Sequence, residues 1–179
     1  MVAIKGLHPV PLALQGAALE RAALTLRWAL TTLQSRGEDP ILDGLPEFSQ
    51  ENLERMSYWS SNQESHDLPL EIRPKSHRNG TSYMSVYGRM RWDFPAPTIT
   101  TGFSTPGRGR FTHPEETRTL TAREAARLQA FPNGYFSSEL VRMMQPTRSQ
   151  VTKWIGDAVP APLGHAAFLS ALAPFMHQK

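Results

Sequence analysis

Proline limits what this chain can fold into more than any other residue. Fifteen of its 179 residues are prolines, and each one removes a backbone donor and fixes φ near −65°. Regular elements must fit between them, so the expectation is many loops and short strands, with only a few helices of any length. Apolar residues make up 40% of the sequence, enough for the core of one domain, or of one small domain with pieces of another. No run approaches the roughly 18 apolar residues of a membrane span. The opening Met1-Val2-Ala3-Ile4-Lys5 leads into no long apolar stretch with a small-residue cleavage site, so a secretory signal is not expected.

Cysteine is absent. Disulfides, thiolate metal sites and cysteine nucleophiles are thereby excluded within these residues, and the default compartment is the cytosol. His77, His113 and His165 form no metal-ligand spacing with the carboxylates, so no metal is expected.

The net charge is only +3, but the charges are segregated. Gly37 to Ile72 holds nine acidic residues and one basic one, Arg55, whereas Arg73 to Arg127 holds ten basic residues against four acidic ones. Nine of those ten are arginine, the side chain suited to bidentate contact with phosphate or guanine. On charge alone this is a solvated basic face or the electrostatic footprint of a nucleic-acid binder.

Along the chain, Leu19, Ala22, Ala23, Leu26, Leu30 and Leu33 recur at helical spacing and predict a helix over 15–34, stopped by Gly37, Asp39 and Pro40. Ser49 can cap a second helix to Trp59 with Leu53 and Met56 on its apolar stripe. Residues 60–80 read as loop. From Ser82 the pattern favours short strands: Tyr83, Val86 and Tyr87, then Thr98, Ile99, Thr100 and Thr101, with Pro95 and Pro97 biasing their neighbours away from helix. Gly102 to Arg110 carries three glycines and a proline and must be a flexible or tightly turned loop. Thr121-Ala122-Arg123-Glu124 has capping-box spacing and starts a helix to about Ala130, ended by Pro132, Asn133 and Gly134. A turn over Gly156-Asp157-Ala158-Val159-Pro160 precedes a last helix from about Pro162 to Leu172.

Three of these segments together resemble the DNA cytosine-5 methyltransferases. Ser82-Tyr83-Met84-Ser85-Val86-Tyr87-Gly88-Arg89-Met90-Arg91-Trp92-Asp93, followed by Pro95-Ala96-Pro97-Thr98-Ile99-Thr100, is similar to the stretch leading through that family's target recognition region. Thr121-Ala122-Arg123-Glu124-Ala125-Ala126-Arg127-Leu128-Gln129-Ala130-Phe131-Pro132 resembles its ninth conserved motif. Ile155-Gly156-Asp157-Ala158-Val159-Pro160 resembles the tenth, usually written Gly-Asn-Ala-Val-Pro. The order and spacing match, and the weaker Thr25-Leu26-Arg27-Trp28-Ala29-Leu30 is similar to a segment just before the recognition region. The likeness covers roughly residues 25–173.

The resemblance implies a mixed α/β architecture: a strand-and-loop recognition lobe, plus helices that complete a Rossmann-like, S-adenosylmethionine-dependent methyltransferase domain. Residues 1–36 would be an N-terminal helical segment packing on that catalytic domain, 37–150 the recognition lobe with the ninth motif, and 151–179 the tenth motif and C-terminal helix returning to it. In the family a cysteine in a Pro-Cys loop attacks C6 of a cytosine flipped out of the duplex, and a glutamate in Glu-Asn-Val holds the ring. Here there is no cysteine and no Phe-x-Gly-x-Gly cofactor loop, and Glu51-Asn52-Leu53 lies in the wrong place to be that acid. No catalytic residue is therefore assigned to this chain, and the nucleophile has to come from a catalytic N-terminal subunit.

The resemblance also distributes roles. Gly156, Asp157, Ala158 and Val159 would border S-adenosylmethionine shared with the partner, with Asp157 replacing the usual amide donor by an acceptor-only carboxylate. Arg123, Glu124, Arg127 and Gln129 would organise the recognition region, the two arginines anchoring a carbonyl, a carboxylate or a DNA phosphate. Double-stranded DNA would be met by Arg89, Arg91, Thr98, Ile99, Thr100, Thr101, Ser104, Thr105, Arg108 and Arg110. Arg108 and Arg110 could each pair with guanine in the major groove or bind phosphate, which positions without specifying. Three functional readings follow: the recognition subunit of a split methyltransferase, cytoplasmic and nucleoid-associated; an inactive remnant; or a non-catalytic, sequence-selective DNA-binding protein.

Overall fold

The computed structural model describes residues 25–33, 39–62, 68–75, 78–79, 87–137 and 139–176. In chain order the elements are α1 (Leu26–Thr31), α2 (Gln50–Ser61), β1 (Tyr87–Arg89), β2 (Gly109–Thr112), α3 (Ala122–Leu128), α4 (Glu139–Met143), α5 (Arg148–Asp157) and α6 (Ala161–Met176), with a single 3-10 turn over Tyr135–Ser137 before α4. Mixed helix and strand content agrees with the α/β expectation, but among the described residues helices outweigh strands.

Local chemistry sets most helix starts. Thr25 takes extended backbone (φ −78°, ψ 155°) and its hydroxyl accepts from the Trp28 amide. A helix running unbroken from 15 to 34 is therefore corrected: α1 begins after Thr25, and residues 15–24 and Gln34 lie outside the described residues. Ser49 caps α2 as expected, and Met56 and Trp59 are its buried positions, with Leu53 only partly covered. The Thr121/Glu124 capping box is present at α3 in both directions. A second capping box, Thr147 with Gln150, starts α5. That helix was not anticipated, and it absorbs Gly156 and Asp157, which were expected in a turn. The turn reduces to Ala158, Val159 and Pro160.

Helix α3 ends two residues earlier than expected, in a Schellman arrangement. The Ala130 amide donates to Arg127 O and the Phe131 amide to Ala126 O, both at 3.0 Å. Ala130 consequently sits at φ 60°, a left-handed conformation that glycine fills without the Cβ penalty of about 1 kcal/mol.

The strands are short, and their pairing is parallel: β1 lies beside β2 with Tyr87 opposite Gly109 and an irregularity before Arg89 meets Thr112. Parallel neighbours require a long crossover, and here it is residues 90–108. Thr98 to Thr101 lie inside that crossover and form no strand, correcting the extended-strand expectation. Pro95 and Pro97 lack the donors that would extend a strand back from Thr98, and the β-branched side chains of Thr98–Thr101 serve a loop instead. Tyr83 and Val86 lie outside the described residues.

One hydrophobic cluster organises the described chain. It includes Leu26 of α1, Leu42, Ile99 and Phe103 of the crossover, Phe111 of β2, Ala125 and Ala126 of α3, and Val151 and Ile155 of α5. The core thus draws residues from all three sequence segments. Helix α6 stands apart from it: every residue from Ala161 to Leu172 is exposed, including Leu163 and Phe168 at 61% each.

Candidate nucleic-acid interface

The crossover is held from beneath by two side chains. Ile99 and Phe103 are buried, at 5% and 0% exposure, and between them the chain turns tightly. The Phe103 amide donates to Thr100 O (3.1 Å), Thr105 to Gly102 O (2.9 Å) and Arg108 to Thr105 O (3.3 Å). The Thr119 hydroxyl donates to Ser104 O at 3.2 Å. Of the alternatives for Gly102–Arg110, the tight turn is the one adopted.

Burying Ile99 and Phe103 turns the intervening polar residues outward. Thr98, Thr100, Thr101, Thr105, Arg108 and Arg110 are exposed and Ser104 is half-buried. Ile99, grouped with them on sequence, has its side chain in the core, so only its backbone could meet a ligand. Gly109, at φ 148°, needs no side chain to take that path between the two arginines.

The other arginines of the basic segment divide by what their ends touch. Arg123 forms a paired contact with Asp43, Nε to Oδ1 at 2.6 Å and Nη2 to Oδ2 at 2.8 Å, and its own amide donates to Leu42 O. Its pKa is raised, first by hydrogen bonding to Asp43. Arg118 reaches Glu124 through Nη1 (2.8 Å) and Nη2 (2.9 Å) and also Glu116. Burial alone would lower its pKa, but the bonds to Glu124 and Glu116 prevail and raise it. Arg127 donates to Ala29 O (3.4 Å) and the Thr32 hydroxyl (3.2 Å) and lies over Trp28. Arg89 donates to Pro114 O, and Arg91 lies 4.1 Å from the Phe94 ring centre. Of the carboxylate, carbonyl or phosphate partners open to Arg123 and Arg127, the fold uses a carboxylate for the first and a carbonyl for the second.

Gln129 makes the link between the two motifs. It is 7% exposed, and its Nε2 donates to Ile155 O (2.9 Å), which also accepts from the Ala158 amide, and to Ala158 O (3.1 Å) just past the end of α5. Gly156 then abuts the crossover itself: a Cβ there would lie 2.3 Å from Thr101 N and 2.6 Å from Thr100 C. Sequence reading did not find this contact, since nothing in a Gly-Asp dipeptide signals a neighbour 55 residues back. Asp157 is exposed and paired with Lys153 one turn earlier, and Val159 is 70% exposed.

Beside this surface His113 is buried at 1% exposure, edge-on to Trp92. Its Nδ1 accepts from the Glu115 and Glu116 amides at 3.2 and 3.1 Å, which requires that nitrogen to be unprotonated. Burial, then the charge of Arg118, lower its pKa from 6.5, against the opposing pull of Glu124, Glu116 and Glu115. The unfolded chain therefore takes up the proton first, and this residue's stabilisation is complete above pH 6.5 and lost as pH falls below it. Urea midpoints are expected to be flat from pH 8 to 7 and to fall below about 6.5. The His113→Asn variant, which keeps an acceptor near Nδ1 but does not titrate, should flatten that fall; an unchanged profile would remove His113 from the account. No group of three or more metal-ligating side chains occurs among the described residues, and no described helix is long and apolar enough to cross a membrane.

The family model described as C-5 cytosine-specific DNA methylase matches residues 30–171. The chain is 42% identical over 148 residues to the Type II methyltransferase M1.BsuMI of Bacillus subtilis (strain 168), a match covering 82% of this chain and 33% of that protein. It is 47% identical over 100 residues to the Type II methylase M.HgiDII of Herpetosiphon aurantiacus, covering 55% of this chain and 27% of that one. It is 35% identical over 96 residues to mouse DNA (cytosine-5)-methyltransferase 1, covering 52% and 5% respectively. The chain therefore spans a third or less of the length of these relatives. With the match running from α1 into α6, the chain belongs to the C-5 cytosine-specific DNA methylase family.

Proposed function

We propose that this chain is the target-recognition part of a DNA cytosine-5 methyltransferase and completes the enzyme only with a catalytic part carried on a second chain. Residues 37–150 would read the duplex, while the segments before and after, 1–36 and 151–179, would pack on the partner. The observation that carries the reading is the set of exposed side chains on the buttressed crossover, above all Arg108 and Arg110. Their guanidinium groups make no hydrogen bond or ion pair among the described residues.

Two further features support the division of labour. The 179 residues contain no cysteine, so no nucleophile for attack on cytosine C6 is available here. Helix α6 leaves Leu163, Phe168, Leu169 and Leu172 in water, an apolar surface of the kind that partners cover.

S-adenosylmethionine would supply the methyl group for C5 of the flipped cytosine. The residues of the tenth motif fit one edge of its pocket. Asp157 offers an exposed acceptor-only carboxylate to a cationic group, and Val159 an exposed apolar face. The remaining walls belong to the catalytic part. Double-stranded DNA is the second ligand, which gives the assembly a cytoplasmic, nucleoid-associated setting.

The test is affinity capture of the chain from its native cells, with mass spectrometry of what accompanies it and a tritiated methyl-transfer assay on the product. A second chain carrying Pro-Cys and Phe-x-Gly-x-Gly motifs is expected, with transfer by the pair and none by this chain alone. An abundant chain with no such companion would sink the split-enzyme reading. So would a single longer polypeptide carrying both parts.

A further inference from the structure

Arg108 at the end of the crossover and Arg110 in β2, both unpaired among the described residues, each rest on a glycine. Arg110 in β2 crosses Gly88 in β1, where an added methyl group would stand 2.8 Å from Arg110 Cγ and 3.4 Å from its Nε. Arg108 crosses Gly102 in the same manner, and a methyl there would stand 2.7 Å from Arg108 Cβ and 2.9 Å from Cδ. Each glycine leaves room one methyl deep, and the aliphatic stem of an arginine occupies it. The backbone does not demand glycine at either place, since the positive-φ glycines among the described residues are Gly107, Gly109 and Gly134. It is the neighbouring stem that demands it.

A long side chain loses rotamer freedom when its end docks on a ligand, and a stem already laid in place loses less. Arg118, Arg123 and Arg127 spend their ends on partners within the fold. Arg108 and Arg110 have seated stems and exposed ends.

We infer that Gly88 is a positioning residue for DNA reading, aiming Arg110 before the duplex arrives. This rests on the DNA-contacting role proposed above for the two arginines. Alanine at Gly88 meets Arg110 from Cγ outward, so swinging the stem to another rotamer relieves it. The backbone path survives and the aim of the guanidinium is lost. Alanine at Gly102 meets Arg108 first at Cβ, which no rotamer moves, so there the backbone must give.

Two double-mutant cycles test this on the full chain. A pool of random-sequence duplexes is first selected on the wild-type protein. Binding to the selected duplex is then measured for Gly88→Ala, Arg110→Ala and their combination, and for Gly102→Ala, Arg108→Ala and theirs. Each arginine variant is expected to weaken binding by roughly tenfold, and each glycine variant by about threefold to tenfold. Once Arg110 is alanine, Gly88→Ala should cost nothing more. Gly102→Ala is the contrast: the Arg108 Cβ it meets survives in Arg108→Ala, so its loss should persist in both backgrounds, as a packing defect does. A Gly88→Ala variant that binds like wild type, that loses affinity equally in both backgrounds, or that fails to fold overturns the inference and leaves the arginines' role standing. Arginine variants that bind like wild type, or a wild-type chain that selects no duplex, overturn the DNA-contacting role itself.

Discussion

Gly156→Ala is expected to lower stability by about 3 kcal/mol, at the upper end of what one inserted methyl costs in a packed interior. The atoms it would strike are backbone: Thr101 N at 2.3 Å, Thr101 Cα at 2.4 Å and Thr100 C at 2.6 Å. A side chain can swing aside, but a main chain held by the Phe103-to-Thr100 hydrogen bond and by buried Ile99 cannot. Either α5 withdraws from the core, uncovering Val151 and Ile155, or the crossover is pushed outward. Helix propensity works the other way, since alanine is better than glycine in a helix interior by about 1 kcal/mol, and the expected cost is net of that gain. Gly164 in α6 supplies the control, because a Cβ there meets nothing within 4 Å, so Gly164→Ala should be neutral or stabilising. Urea midpoints of the two variants decide the matter: equal midpoints would mean that α5 does not press on Thr100–Thr101 as described.

Removing the Glu124 carboxylate is the second large effect. Its Oε2 accepts from the Thr121 amide at 2.9 Å, closing the capping box, while both oxygens hold Arg118. The two side chains are only 12% and 9% exposed, Arg118 and Glu124 respectively. Breaking a buried pair from one side leaves the other charge desolvated, at about 3–5 kcal/mol, and loss of a cap adds about 1 kcal/mol. Glu116 still pairs with Arg118 from the exposed side, which offsets part of that sum, so Glu124→Ala is expected to cost about 3 kcal/mol. Glu124→Gln keeps one acceptor oxygen, which can serve both the Thr121 amide and Arg118 Nη1 but sets an amide donor against Nη2, so it should cost less than Glu124→Ala. Thermal or urea unfolding would refute the paired-charge account if the two variants were equal, or if Glu124→Ala lost less than about 1 kcal/mol.

Both variants act where the ninth motif meets the rest of the molecule, and that meeting explains the motif's composition. Each polar side chain of α3 goes to a different place: Arg123 to the 39–43 turn, Glu124 to Arg118, Arg127 to α1, Gln129 to the end of α5. The acidic stretch before the basic one has part of its purpose here. Asp39 accepts from the Ile41 and Leu42 amides and so shapes the turn, and that turn presents Asp43 to Arg123. Segregated charge along the sequence becomes paired charge in space, and the basic surface left for a polyanion is smaller than the arginine count suggests.

What the sequence by itself determined is what chemistry within a few residues decides. Ser49 and the Thr121/Glu124 pair act over three residues, so the starts of α2 and α3 were legible, as were the tight turns of a segment with three glycines and a proline. The lack of a nucleophile was legible too, since it depends only on composition. The Thr147/Gln150 box at the start of α5 carries the same three-residue signal. Tertiary structure alone decided the rest. Thr98–Thr101 have the side chains of a strand but flanking prolines, and the core took Ile99 while the parallel pairing of β1 with β2 made the segment a crossover. Which arginines remain for a ligand was likewise not legible: Arg123 finds its carboxylate 80 positions away and Arg127 its carbonyl 98 positions away. A guanidinium has the same local sequence signature whether its end is spent inside the fold or left in water, and only the path of the distant chain settles which.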